Sequence, residues 1–342
     1  MLSTKLHKTY NLLIKAVIVI VAYYVIYKQV FVQHTWDEIA QYFAQNYSFY
    51  RLLFPFFIII ILMIINWGIE SIKWQYLISK NENINLKTSL QGVFSGITVS
   101  SLTPNRIGEY FGRVFILKKT HPVRGILMTI VGSLSQLLVT ILMGGFAILY
   151  VTFRYTELVY PKNPFLSAVA IGLLILLMIM VSGIYFNLKG VSNILHRLTI
   201  KWPKINRFIH VFAYYDRKEL VNVFLLSLSR YVVFSLQLYL LMRIFHIPLT
   251  IFEGLIVVSL IFLTITIIPS VALAEIGIRG SVAIYVIQQY YNLNNLNPSL
   301  GYELDVMAST SVLWLINIIL PAIIGSLFIF KLSFFNSRNN GN

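Results

Sequence analysis

Six apolar stretches in this chain are long enough to cross a lipid bilayer, and that limits what it can fold into more than any other feature. A hydrocarbon core of about 30 Å takes about 20 helical residues, each rising about 1.5 Å. The stretches 12–32, 53–76, 125–152, 164–187, 219–245 and 305–331 meet that length. Four shorter apolar stretches, 88–103, 106–117, 251–269 and 274–290, form two pairs. Each pair is interrupted by a polar knot carrying proline: Leu102-Thr103-Pro104-Asn105-Arg106 in one, Ile268-Pro269-Ser270 in the other. Only 11% of the residues are charged, against about 25% in a soluble domain. A soluble enzyme and a disordered chain are therefore excluded. The absence of cysteine removes disulfides, thiolate metal sites and a cysteine nucleophile. The stretch 12–32 is too long for a signal-peptide core and no cleavage site follows it, so it reads as a retained first span.

The formal charge of +15 follows the loops. Lys5, Lys8 and Lys15 put the N-terminus on the cytoplasmic side by the positive-inside rule. The loop with Asp37, Glu38 and Arg51 is then outside, and Lys73, Lys80 and Lys87 are inside. Lys118, Lys119 and Arg124 are too basic for the outer side, so 88–117 enters from the cytoplasm and returns to it. The loop 188–218, with Lys189, Arg197, Lys201, Lys204, Arg207, Arg217 and Lys218, is inside. The segment 291–304 has no Lys or Arg, so 251–290 enters from outside and goes back, and Lys331 and Arg338 place the C-terminus inside. No basic domain lies beyond the membrane segments, which argues against nucleic-acid binding.

This pattern predicts an all-α polytopic membrane protein of the cytoplasmic membrane, with both termini cytoplasmic. It has six full transmembrane helices and two oppositely oriented re-entrant hairpins. Residues 1–342 form one membrane domain. Repeat one, 53–152, and repeat two, 219–331, share one order of elements with opposite polarity, an inverted repeat. They are joined by the span 164–187 and the basic interfacial segment 188–218. The hairpins agree locally: Pro104, Glu109 and Arg113 in one match Pro269, Glu275 and Arg279 in the other. The alternative is two ordinary kinked spans.

Non-helical backbone at membrane depth must line protein or a water-filled cavity. Thr103 before Pro104 suits an N-cap and first helical position, and Ser270 can cap the second hairpin in the same way. Two helix N-termini would then offer amides and positive dipole ends to an anion. Arg106, Arg113 and Arg279 add guanidiniums, which match phosphate oxygens bidentately. Glu109 with Arg113, and Glu275 with Arg279, are i,i+4 pairs in the favourable order. The plainer reading is that each pair neutralises itself and pins its hairpin; both can hold.

Arg230 lies inside 219–245, where an ionisable residue is a functional hypothesis; the alternative is a counter-ion for Glu275 or Glu109. Glu70 and Lys73 are expected at the membrane interface. Ser95, Thr98, Ser100, Ser101 and Thr103 in one first arm, and Ser259, Thr264, Thr266 and Ser270 in the other, can satisfy freed backbone or line a polar path, while Gly92, Gly96, Gly108 and Gly112 suit close helix packing. The segment 200–215 reads, after Pro203, as a helix lying on the anionic leaflet. The histidines have no metal-ligand spacing, no catalytic motif is found, and no cofactor is expected.

The blocks Ser101-Leu-Thr-Pro-Asn-Arg-Ile-Gly-Glu109-Tyr-Phe-Gly-Arg113 and Ile268-Pro-Ser-Val-Ala-Leu-Ala-Glu275-Ile-Gly-Ile-Arg279 resemble those of the lysylphosphatidylglycerol synthase transmembrane region. This flippase-like family includes the membrane half of the multiple peptide resistance factor. The resemblance covers about residues 10–332. Family members carry more glycine in both blocks, where this chain has Asn105-Arg106 and Ala272-Leu273-Ala274. The resemblance implies lipid translocation, or service to a lipid-modifying enzyme. In the multiple peptide resistance factor a soluble aminoacyl-transferase domain follows; here the chain stops soon after Lys331, so aminoacyl-lipid synthesis by this chain alone is not expected.

The leading expectation is translocation of an anionic lipid or lipid-linked phosphate head group. Thr103, Arg106, Arg113, Ser270, Arg279 and Arg230 would hold the phosphate, and Glu109 and Glu275 would switch the arginines. The expected partners are membrane lipids, an anionic phospholipid or polyprenyl phosphate. The alternatives are a membrane-embedded lipid-modifying enzyme and a structural or regulatory partner of a separate envelope enzyme.

Overall fold

The computed structural model describes residues 49–329 other than 102, 104, 105, 156–163, 200, 202–205, 207, 269–274 and 298–300. The expected first span 12–32, the residues Pro104, Pro269 and Ser270, and Lys331 lie outside the described residues. The helices are α1 (Phe49–Ile78), α2 (Leu86–Ser100), α3 (Gly108–Val114), α4 (Pro122–Arg154), α5 (Pro164–Phe186) and α6 (Leu188–Leu198). Then come α7 (Arg217–Ile244), α8 (Ile251–Ile267), α9 (Glu275–Leu293), α10 (Tyr302–Trp314) and α11 (Leu320–Ile329), with a π turn over Leu315–Ile319 joining the last two. Five helical stretches are long and apolar enough to cross a membrane: Leu52–Ile78, Pro122–Arg154, Phe165–Phe186, Arg217–Ile244 and Tyr302–Ile329. They are five of the six predicted spans, and the chain is a multi-pass helical membrane protein.

Local sequence sets where these helices start. The Asn85 side chain accepts from the Thr88 amide at 2.8 Å, and Pro122 occupies the first turn of α4, where its missing N–H costs nothing. Asp216 with Glu219, and Thr250 with Glu253, form reciprocal capping boxes at the starts of α7 and α8.

Contacts near the helix ends sort the loops into two groups. At one end, the Tyr215 hydroxyl donates to the Leu77 carbonyl at 2.9 Å, Lys80 pairs with Glu219, and the His121 and Phe208 rings lie 5.0 Å apart. Glu82 sits among them. Its carboxylate accepts from the amides of Lys118, Lys119 and Thr120 at 3.0, 2.8 and 2.8 Å, and from the Thr120 hydroxyl at 3.0 Å. Partial burial works to raise its pKa, but these four donors outweigh it and hold the group below its ordinary value. The segment leading into α2 is thus bonded to the segment leaving α3. At the other end, Tyr155 donates to Asn294 at 2.8 Å, Tyr290 hydrogen-bonds Glu253, and Tyr150 stands edge-on to Phe252 at 5.0 Å. There the start of α8 meets the end of α9.

The α2–α3 pair is antiparallel and held by glycine. A Cβ added at Gly112 would come within 2.7 Å of the Gly96 Cα, and one at Gly108 within 2.4 Å of the Val99 carbonyl oxygen. At Gly92 it would meet the Trp74 ring at 2.8 Å. Packing is therefore what these four glycines do. With 15 residues, α2 is about 22 Å long, short of a full crossing.

The remaining contacts pair up. Helices α1 and α7 pack against each other; α1 packs on α2 and α7 on α8. Helix α11 lies along α2, and α4 lies along α8. At the first crossing, Gly325 faces the Phe94 carbonyl and Thr98, whose hydroxyl donates to the Ala322 carbonyl at 2.8 Å. At the second, Gly144 faces the side chain of Leu263. Helix α5 leaves most of its surface exposed and packs on α4 through Met178, which fills the space over Gly145.

Of the helix predicted after Pro203, residues 202–205 and 207 lie outside the described residues, Asn206, Phe208 and Ile209 are helical, and His210–Tyr214 continues as a 3-10 turn; an amphipathic helix that was not predicted, α6, precedes it over Leu188–Leu198. Leu188, Val191, Ile194, Leu195 and Leu198 recur at helical spacing, a signal that the basic residues of the following segment obscured.

Candidate functional site

Helix α1 carries an unusual stripe for an apolar span. Asn66, Glu70 and Lys73 follow one another at i, i+4 and i+7, on the face that also carries Trp67 and Trp74. All five are buried. Glu70 and Lys73, expected at the interface, are thus inside the protein. Their placement follows from the packing of α1 against α2 and α7, which covers this face.

Glu70 is the centre of a charge cluster drawn from three helices. Its Oε1 accepts from Arg113 Nη1 of α3 at 2.8 Å. Its Oε2 pairs with Lys73 Nζ at 2.7 Å and with Arg230 Nη1 of α7 at 2.9 Å. Arg113 also pairs with Glu109, one turn before it. The predicted Glu109–Arg113 pair is present, but Arg113 divides itself between two carboxylates. The counter-ion of Arg230 is Glu70, not Glu109. Arg230 also donates from Nε to the Asn66 side-chain oxygen at 3.2 Å, and its guanidinium carbon sits 4.9 Å above the Trp67 ring, a cation–π distance.

A polar relay extends the cluster to the last span. Asn66 donates to the Asn317 side-chain oxygen at 3.3 Å, and Asn317 donates to the Leu313 carbonyl at 3.1 Å. Asn317 lies in the π turn, a form of helical irregularity that recurs at functional sites.

The geometry depends on Gly96. A Cβ there would lie 2.8 Å from Arg113 Cγ, so the glycine lets the arginine stem pass α2 and reach Glu70. Glu70 and Arg113 are almost fully buried, at 5% and 3% side-chain exposure, whereas Arg230 and Glu109 keep 21% and 27%. The cluster is therefore sealed at its centre and open at two edges. Among the described residues it holds three cations (Lys73, Arg113, Arg230) against two carboxylates (Glu70, Glu109). Trp67 Nε1 and Arg113 Nε are buried donors without an acceptor among the described residues.

The other predicted site residues fall elsewhere. Helix α3 begins at Gly108, with Pro104 outside the described residues, and Thr103 is not its N-cap residue. Its hydroxyl accepts from the Gly108 amide at 2.7 Å, so the protein itself occupies that amide, and α3 with 7 residues is too short to present an anion-binding terminus. Arg106, half-buried in the turn, has φ +59°, a left-handed conformation unusual for a residue with a side chain. Arg279 is half-buried on α9, which packs on α8 and α10, while α3 packs on α2 and α4. Glu275 is the first residue of α9; its side chain, like Ser270, lies outside the described residues. Asn66, Trp67, Glu70, Lys73 and Asn317 were missed as site residues. The stripe on α1 was the available signal for four of them.

The family model for the lysylphosphatidylglycerol synthase TM region matches residues 12–295, and the chain belongs to that family. No curated protein and no solved structure matches it.

Proposed function

We propose that this member of the lysylphosphatidylglycerol synthase transmembrane family binds the anionic head group of a membrane lipid at the Glu70 cluster and carries it between leaflets. The observation that carries this reading is the cluster's charge count: among the described residues, three cations face two carboxylates inside an apolar bundle. An unbalanced charge at the bilayer centre costs about 2.5–3.5 kcal/mol on insertion scales. A phosphodiester would supply the missing negative charge, and guanidiniums are its natural partners. Arg230 is the accessible docking cation. Glu109 releases Arg113 to the phosphate and takes it back when the phosphate leaves. Trp67 Nε1 and Arg113 Nε are donors that such an anion could satisfy.

Movement would come from an inverted repeat of 53–152 and 219–331. Its support is the matched packing: each first hairpin arm lies along the closing span of the other half, through Gly325 in one case and Gly144 in the other. The hairpins α2–α3 and α8–α9 would be re-entrant from opposite faces, since each starts and ends at one end of the molecule. Lys80, Lys118, Lys119 and Lys189 gather at the end holding α6, so this end would be cytoplasmic, in the cytoplasmic membrane, with both termini on that side. Arg279, with Ser270 and Glu275, would serve the head group from the second hairpin, and Thr103 and Arg106 would shape the turn of the first. Anionic phospholipids and polyprenyl phosphates share the required chemistry, and a separate envelope enzyme would use the delivered lipid.

The test is reconstitution into vesicles with head-group-labelled phosphatidylglycerol or a labelled polyprenyl phosphate, followed by accessibility of the label to a membrane-impermeant quencher. Native protein should exchange one of these lipids between leaflets, and Arg230→Gln should not. Equal rates with the variant, or no exchange of either lipid, would overturn the proposal.

A further inference from the structure

A second cationic site lies away from the Glu70 cluster. Helix α5 ends at Phe186, the chain turns at Asn187, and α6 begins at Leu188. Between this junction and the start of α7 is a cleft of about 500 Å³, bordered by Gly183, Asn187, Lys189, Tyr215, Asp216 and Arg217. That volume is within the range of about 300–1,000 Å³ that holds small ligands.

Three observations define what fits there. First, the cleft opens onto lipid-facing surface: Ile179, Met180 and Ile184 of α5 are exposed, and a Cβ at Gly183 would meet nothing within 4 Å. The missing side chain leaves a notch leading from the apolar wall into the cleft. Second, the depth is that of lipid head groups. Helix α6 buries Leu188 and Ser192 against the protein yet exposes Ile194 and Leu198 at the end of the molecule, the pattern of a helix lying in the interface plane. Third, the charge is available. Neither Lys189 nor Arg217 forms an ion pair among the described residues. The one carboxylate among the described wall residues, Asp216, turns its Oδ1 to the Glu219 amide at 2.8 Å, so the two cations outnumber it.

We infer that this cleft holds the head group of an anionic phospholipid of the leaflet at that end, with its acyl chains lying along α5 past Gly183. Lys189 and Arg217 bind the phosphate, and the Tyr215 ring forms the floor. The lipid fills the joint between the exposed span α5 and the interfacial helix α6, and so acts as a bound structural ligand rather than as cargo.

The test is native mass spectrometry of the full chain titrated with phosphatidylglycerol, phosphatidylcholine or inorganic phosphate. Native protein should retain phosphatidylglycerol in preference to phosphatidylcholine, and inorganic phosphate should not displace it. Lys189→Gln/Arg217→Gln should weaken retention at least tenfold. Gly183→Leu, which fills open space without changing charge, should do the same. The surface pair Arg197→Gln/Lys201→Gln should have no effect. Unchanged retention in the cleft variants, equal loss in the surface pair, or equal retention of phosphatidylcholine would overturn the inference. Displacement by inorganic phosphate would overturn the lipid assignment. If a cleft variant is not monodisperse, the competition between the two lipids on native protein decides.

Discussion

Arg113 reaches past α2 to place its Nη1 2.8 Å from the Glu70 carboxylate, so the only ion pair described between α1 and α3 is buried and passes over a glycine. Removing one partner of a buried pair destabilises by about 3–5 kcal/mol, because the other charge is left without compensation. Glu70→Gln, which strands Lys73 and Arg230 and leaves Arg113 with Glu109 alone, should therefore lower thermal stability in detergent sharply. Arg113→Gln leaves Glu70 paired with Lys73 and Arg230 and strands only the partly exposed Glu109, so it should lower stability by less. If both variants melt within a degree or two of native protein, the cluster does not hold the bundle together.

Arg230 is placed differently, at an open edge of the cluster. Arg230→Lys retains a charge for Glu70 but loses the Nε bond to Asn66 and the planar stack on Trp67. It should melt close to native protein yet move lipid at least tenfold more slowly in the vesicle assay. Native transport by Arg230→Lys would show that charge alone suffices.

The glycines divide into two groups by the space around them. Gly112→Ala and Gly325→Ala force a Cβ to within 2.7 Å of the Gly96 Cα and 2.1 Å of the Phe94 carbonyl oxygen, respectively. Each should cost about 1–3 kcal/mol, as overpacking does. Gly172→Ala meets nothing within 4 Å and removes a weak helix former, so it should be neutral or slightly stabilising. Thermal melts of the three side by side would settle the contrast, and equal stability of all three would contradict it.

Glu82 gives a pH dependence with a definite sign. Its carboxyl is held below its ordinary value in the folded state. Its stabilising contribution is therefore complete above the unfolded value and is lost as the pH falls through the folded one. Hydrogen exchange at the amides of Lys118, Lys119 and Thr120 should accelerate below the ordinary carboxylate range. Glu82→Gln should be fast already at neutral pH. Protection that ignores both changes would mean the carboxylate is not what orders this segment.

The chain has no cysteine, so single-cysteine labelling needs no background removal. Probes at Lys87 and Lys119 should react from one side of the membrane, and probes at Thr250 and Asn292 from the other. Opposite sides within either pair would replace the hairpins with full crossings.

Five of the predicted spans, and the shorter helices between them, were legible because hydropathy reports each segment by itself. The Glu109–Arg113 pair was legible for the same reason, since its partners share one helix turn. Glu70 was not. Its partners Arg113 and Arg230 come from helices far along the chain, and a carboxylate near the end of a span looks interfacial until the packing of α1 on α2 and α7 is known. The glycine spacing in α2 and α3 announced close contact, but not that Gly96 makes room for an arginine. The start of α3 was misplaced because Thr103-Pro104 is a good cap signal locally, whereas the turn continues through Arg106 and its left-handed backbone.

The bonds from Glu82 to the Lys118–Thr120 segment have a mechanical consequence. One carboxylate clasps both feet of the α2–α3 hairpin, so the two arms cannot splay apart at their base without breaking four bonds together. If the proposed translocation moves this element, the two arms would travel together as one wedge, keeping their spacing at the Glu82 end.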